Sequence, residues 1–362
     1  LSLHTYLRYA HDFQTAIPGD LKGKIYNLYL NWKEVAHSVD LRLGRQYLAA
    51  GVGKGTMDGL KISFRRGKRF SFLGYLGTQV PLRKSTQVNS WSESKMWGAY
   101  FWTNYPWETE VGISFVRKER QRDSYLSPYS EKGIAPDPLV EQLLGILLRR
   151  KFGRRIETYG RMDFDALFWD FGLRWAQIGT RYRAHNRLFL FFEFDRRRPS
   201  VRRGSVFSVF RQKANSEFRL GADYAVNQHM SLVGEYALVL FSHDNGHRIR
   251  IGTNLGSTSI GYVGRLGYSG DSHGAYGNVS YLINDKLSVS AGVDYSRYEY
   301  EEEVSGRFDA LGAMARIVYQ PVKNITLSLE GQNLRNRLYS HDTRLLARID
   351  VRFFRRLTKG TE

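Results

Sequence analysis

Arg344-Leu345-Leu346-Ala347-Arg348-Ile349-Asp350-Val351-Arg352-Phe353 is the stretch that decides the fold. Leu345, Ala347, Ile349, Val351 and Phe353 form one apolar row, while Arg344, Arg348, Asp350 and Arg352 share the other with Leu346. Successive side chains on a strand point to opposite faces, so this segment has one oily side and one charged side. The pattern repeats along the chain. Phe218, Leu220, Ala222, Tyr224 and Val226 interleave with Glu217, Arg219, Gly221 and Asp223; Leu287, Val289, Ala291, Val293 and Tyr295 interleave with serines, Gly292 and Asp294. Alternating segments of about ten residues separated by turns are the mark of a transmembrane β-barrel. A soluble β-sandwich alternates too, but its strands are shorter, and the Tyr, Trp and Phe near the row ends suit aromatic girdles.

Composition agrees. Of 362 residues, 14% are aromatic, with Tyr the commonest ring, as expected where one end of the ring is wet. Mean hydropathy is −0.43, and no apolar run reaches the roughly eighteen residues of a membrane-spanning helix. In a barrel only alternate residues face lipid, so the mean stays low. No cysteine is present, which excludes disulfides, thiolate metal ligands and covalent haem attachment in this chain. The net charge of +19 is spread along strands rather than gathered in a tail or on one helix, which argues for a basic lumen and against nucleic-acid binding. Leu1 opens directly on a strand, and the chain reads as a mature form whose export signal has been removed.

Segments fall near 1–10, 24–33, 38–47, 57–65, 69–79, 93–103, 108–117, 154–163, 167–178, 187–195, 204–212, 216–226, 229–240, 247–254, 257–268, 274–283, 286–299, 307–319, 324–334 and 343–354. The expectation is therefore an all-β, antiparallel, up-and-down transmembrane β-barrel of the bacterial outer membrane. It has about twenty strands, or about eighteen if 204–212 fails. One domain spans 1–354, and 355–362 is a short tail. An even strand count places both termini on the periplasmic side. Tight turns at 226–229, 283–286 and 321–324 then share that side, and Trp32, Trp102, Trp107 and Trp169 flank periplasmic turns as one interfacial belt.

The connection 118–153 is the long extracellular loop of this scheme. Asp137 as N-cap and Pro138 as first helical residue predict a short helix through Leu139–Leu148, with Leu139, Leu143, Leu144 and Leu147 as its oily face. Such a loop constricts the pore, holds an outer-surface partner or lies as a lid on the rim.

Few motifs carry catalytic chemistry. Gly270-Asp271-Ser272-His273-Gly274 matches a nucleophile elbow, but it lies in a hairpin rather than a strand-to-helix turn. His243 and His247 flank a turn without further metal ligands, and Asn278 and Asn324 begin glycosylation-like triplets on strands. The expectation is a protein that is not an enzyme and holds no metal or cofactor itself. Parity places Arg42, Lys61, Arg65, Arg161, Arg174, Arg219, Asp223, Glu235, Arg248, Arg250, Arg265, Arg316, Arg344, Arg348, Asp350 and Arg352 on the pore-lining row. Glu157, Glu193, Asp294 and Glu330 join them. A charge on the lipid row would cost about 2–4 kcal/mol at mid-bilayer, and the surplus of base over acid favours a lumen suited to anions.

Leu41-Arg42-Leu43-Gly44-Arg45-Gln46 followed by Asp58-Gly59-Leu60-Lys61-Ile62-Ser63-Phe64 resembles the early hairpin of alginate-export-type outer-membrane porins. The resemblance covers residues 38–65 as motif and implies a basic-lined passive conduit with Arg42 in the lumen. The chain departs from that pattern at its end, where Phe354 is followed by Arg355–Glu362 instead of closing the strand. The general layout also resembles the barrel component of porin–cytochrome conduits. Two functions follow. The first is a porin-type channel for anionic or small polar solutes. The alternative is a sleeve insulating a multihaem cytochrome, in which any haem belongs to the partner.

Overall fold

The structure, a computed structural model, describes residues 1–9, 23–35, 37–67, 69–81, 86–105, 107–121, 125–126, 133–134, 138–167, 171–198, 214–242, 244–267, 270–299 and 306–351. Its elements are β1 (Ser2–Tyr9), β2 (Gly23–Val35), β3 (Val39–Ala50), β4 (Gly53–Arg66), β5 (Phe70–Gln79), β6 (Ser94–Thr103), β7 (Glu110–Arg120), β8 (Tyr125–Leu126), β9 (Gly133–Ile134), β10 (Leu139–Phe152) and β11 (Ile156–Asp165). There follow β12 (Gly172–His185), β13 (Leu188–Arg197), β14 (Asn215–Ala225), β15 (Met230–Leu240), β16 (Asn245–Leu255), β17 (Thr258–Gly267), β18 (Ser272–Asn284), β19 (Leu287–Glu299), β20 (Arg307–Val322), β21 (Ile325–Arg335) and β22 (Asp342–Val351).

Twenty of these strands belong to one sheet, and β8 and β9 form a separate two-stranded ribbon. The pairings described are antiparallel between sequence neighbours, with β7 pairing β10 across the ribbon. The fold is thus all-β and up-and-down, the class of the transmembrane β-barrels.

The chain divides into two compact units, Leu1–Thr180 with Phe194–Ala214, and Arg181–Glu193 with Asn215–Glu362. In the first, short turns follow β2, β4 and β10, and long connections follow β1, β5 and β7 at the opposite end. The β3–β4 turn breaks that rule, because only Gly51 and Val52 join the two strands at the long-loop end. In the second unit, turns of two to four residues follow β12, β14, β16, β18 and β20.

The register carries the alternation into space. Leu220 opposes Tyr236, which opposes Ile249, while Arg219 opposes Ala237 and Glu235 opposes Arg250. Val293 opposes Ala313 and Leu329 opposes Ala347, while Arg316 opposes Glu330. Apolar side chains that a soluble protein would bury stand exposed in rows: Leu30, Ile62, Phe72, Ile113, Ile251, Tyr281, Ile317 and Ile349 among them. That is the surface a hydrocarbon phase requires. Trp32 and Trp107 are exposed near the short-turn end of the first unit, where interfacial rings belong.

The segment predicted to be helical is strand β10. It pairs along its length with β7, from Leu139 opposite Arg120 to Arg149 opposite Glu110, and with β11 from Leu143 to Phe152. Leu143-Leu144-Gly145-Ile146-Leu147-Leu148 is apolar at both parities because both of its faces are covered. Leu144, Ile146 and Leu148 lie on the lipid row, and Leu143 is buried on the other. A run covered on both sides loses its alternation and cannot be told from a helix by periodicity. The connection expected at 118–153 therefore shrinks to 121–138, since β7 continues to Arg120. Inserting β10 also reverses the direction of the next strands, so β11 finishes at the end opposite Trp32. Trp169, Asp137, Arg352, the expected strand 204–212 and the tail 355–362 lie outside the described residues. The sheet count of twenty thus includes β10 and not 204–212.

Candidate functional site

Within the first unit the β3–β4 hairpin departs from a plain wall. Leu43, Leu60, Ile62 and Phe64 keep the exposed apolar row. Beyond Gly44 the apolar residues change sides: Leu48, Ala50 and Met57, with Val52 in the turn, are all buried, Met57 at 0% exposure. Gly44 sits at φ +122°, and a Cβ there would lie 2.4 Å from the Leu28 carbonyl oxygen, so the close approach to β2 requires glycine. The buried hairpin residues pack with Tyr75, Met96, Val116 and Leu143, and Leu73 and Tyr100 lean on the cluster. Those partners come from the polar row of β5, β6, β7 and β10. The wall face opposite the lipid row thus carries a small apolar core of its own.

The tip is fastened by hydrogen bonds. Val52 N–H donates to Ser114 Oγ at 3.1 Å, and the Ser114 hydroxyl donates to the Gly145 carbonyl at 3.3 Å. Arg161 Nη2 reaches the Gly51 carbonyl at 3.5 Å. The wall is cut to fit, because a Cβ on Gly145 would lie 2.4 Å from Val52 Cγ1 and 2.7 Å from Ser114 Oγ. A Cβ on Gly51, at φ +58°, would likewise lie 2.2 Å from Ser114 Oγ.

These contacts settle which face is inner. In a flat sheet β4 and β11 would stand about 24 Å apart, five spacings of about 4.8 Å. Arg161 on β11 touches the β3–β4 turn, so the sheet of this unit curls toward its polar face. The polar row is concave and the oily row convex.

Arg45 and Asp58 oppose each other on the row that carries Leu43 and Leu60. Arg45 Nε and Nη2 donate to the two Asp58 carboxylate oxygens, each at 2.7 Å, and the side chains are 4% and 9% exposed. A third donation, from Nη2 to the Gln87 carbonyl at 2.7 Å, closes the outer side. A bare charge on this row would cost about 2–4 kcal/mol against lipid, whereas this pair is bidentate and capped by backbone carbonyls.

Most of the predicted pore-lining bases have found a carboxylate. Arg65 pairs with Asp40, and Arg161 grips Asp163 bidentately at 3.0 and 2.9 Å while lying 4.4 Å from the Trp175 ring. Arg174 and Lys118 share Glu141, at 2.8 and 2.9 Å. Asp195 accepts from Trp175 Nε1 at 2.8 Å and pairs with Arg197. In the second unit Arg219 pairs with Glu193 and with Glu217, and Arg248 bridges Glu217 and Glu235 at 2.7 and 3.2 Å. Arg316 faces Glu330, Arg344 pairs with Asp342, and Arg348 pairs with Asp350. Glu157 is taken by Arg149. Asp223 and Asp294 lie on the same polar rows without an ion pair among the described residues.

Sequence reasoning missed several of these acids. Glu141 was hidden in the supposed helix, Asp163 and Asp195 were passed over although each lies on a polar row, and Glu217 was read on a polar row but not counted among the acids that line it. Among the described residues, no carboxylate comes within ion-pair distance of Arg42, Lys61, Arg250 or Arg265. Arg250 instead donates to the Tyr276 hydroxyl at 3.2 Å. Of the motif residues set aside above, Ser272, His273 and Gly274 begin β18, His273 and His247 are bonded to the hydroxyls of Tyr262 and Tyr236, and His243 lies outside the described residues. No group of three metal-ligating side chains occurs among the described residues.

No family model matches the chain, and no curated protein matches it. Solved structures do. Pseudomonas aeruginosa OpdQ is 12% identical over 87% of this chain and 96% of its own, with a TM-score of 0.47. OccK3 (OpdO) of the same organism is 12% identical over 86% and 95%, with a TM-score of 0.48. The translocation pore of the P pilus usher PapC is 7% identical over 86% and 84%, with a TM-score of 0.42.

Proposed function

We propose that the chain is an outer-membrane channel, with both termini periplasmic, whose passage is narrowed by the β3–β4 hairpin docked on the inner wall. The observation that carries this reading is the fastening of Gly51 and Val52 to Ser114 and Arg161 across the concave face. A passage lined by paired charges admits small polar solutes. Net preference then falls to the bases without carboxylates, Arg42, Lys61, Arg250 and Arg265, and favours anions. The sleeve around a multihaem cytochrome is the weaker reading, because the docked hairpin takes inner surface that a sleeve would leave to its occupant. Reversal potentials in planar bilayers under a potassium chloride gradient test the proposal. Chloride preference that declines as salt rises is the expected result; potassium preference overturns the selectivity, and absence of conductance overturns the channel.

A further inference from the structure

Arg42 and Lys61 stand directly opposite each other on the concave faces of β3 and β4. Like charges in that position repel, whereas Arg65 and Arg161 on the same unit's wall are each matched to an acid. Asp40, the carboxylate nearest by position, is held by Arg65 and by the Glu34 N–H. Arg42 is nonetheless firmly aimed. Its Nε donates to Asn31 Oδ1 at 3.1 Å, Asn31 is 2% exposed, and its guanidinium lies 5.4 Å from the Tyr29 ring. Tyr29 in turn stacks on His4, with ring centroids 4.9 Å apart and planes at 12°. Only Nε is used, so both Nη atoms, the fork that binds oxyanions bidentately, have no protein acceptor among the described residues. Lys61 Nζ has none either.

We propose that Arg42 and Lys61 form a binding site for a phosphate-class dianion inside the channel. Two fixed cations with an open fork and an ammonium match the charge of a phosphate group at neutral pH, about −1.5 to −2, whereas a monoanion leaves one cation uncompensated. The site deepens the channel reading above and rests on it for its role in transport, but binding itself does not.

The test uses the full chain and inorganic phosphate. In detergent, phosphorus NMR line broadening reports binding without any conduction. Wild type broadens the signal, and Arg42→Gln and Lys61→Gln each weaken binding about tenfold or more, the value of one charge-assisted contact. Arg265→Gln, which removes a base lacking a carboxylate elsewhere, leaves it unchanged. Phosphate also raises the melting temperature of wild type and not of Lys61→Gln; the melt of each variant without phosphate shows that it is folded. In bilayers, phosphate blocks chloride current in wild type at concentrations that spare both variants. Equal broadening by wild type, Arg42→Gln and Lys61→Gln overturns the site, as does an equal loss in Arg265→Gln. Binding in detergent with no bilayer conductance keeps the site and removes the channel.

Discussion

Replacing Gly145 by valine should undock the hairpin. Even the Cβ would lie 2.4 Å from Val52 Cγ1 and 2.7 Å from Ser114 Oγ, and the two γ-methyls project further into the same space. Valine suits a strand, so β10 itself keeps its pairing. Undocking exposes Val52, whose burial stabilises by about 1.5–3 kcal/mol, and breaks the Val52–Ser114 hydrogen bond, about 1 kcal/mol. The clash denies both to the docked state, weakening docking by about 3 kcal/mol, on the order of a hundredfold shift toward the undocked hairpin. Two readouts follow. Single-channel conductance rises, because the hairpin no longer occupies the concave face. A cysteine at Ala50, now buried in a chain with no other cysteine, reacts faster with a water-soluble maleimide. Unchanged conductance together with an unchanged labelling rate would refute the docked hairpin as the constriction.

Two further predictions test the parts around it. Arg45→Leu leaves Asp58 charged and buried and should cost about 3–5 kcal/mol in urea unfolding, while Arg45→Leu with Asp58→Leu recovers most of that; equal losses in both would show that the pair is not desolvated. Leu148→Arg, on the convex row of β10, should cost about 2–4 kcal/mol in lipid if the side chain lies near mid-bilayer, and Leu143→Ser on the concave row should leave membrane insertion intact while raising conductance. Similar effects of the two substitutions would restore the helical reading of 139–148.

The sheet was legible because its alternation is a direct consequence of strand geometry. Phe218–Val226 and Leu287–Tyr295 read correctly without knowledge of any partner. The reading failed where a second covering was present. Leu143 and Leu144 are both apolar because lipid covers one side of β10 and the hairpin the other, and that erased the period of two. The hairpin left its own trace at Gly44. Leu41 and Leu43 occupy one row, whereas Leu48 and Ala50 occupy the other, and a change of apolar row within one strand means that the second part buries a different face. The polar-row parity of Arg161, Arg219 and Arg248 follows from position, and Asp163 sits beside Arg161 on its own strand, but the neutralisation of Arg219 and Arg248 by Glu193 and Glu217 depends on cross-strand register, which alternation does not specify. The apparent surplus of base was for that reason larger in the sequence than on the concave face.

A disulfide measures the central claim most directly. With cysteines at Val52 and Gly145 and none elsewhere, mild oxidation of the protein in outer-membrane vesicles should join the hairpin tip to β10 nearly completely, since a Cβ at Gly145 falls against the Val52 side chain. Cysteines at Tyr47 and Gly145 should not join, because Tyr47 is exposed on the other side of the hairpin. Efficient joining of the first pair alone is the predicted result. Failure of that pair to join, or equal joining of both, would contradict an inward-docked hairpin.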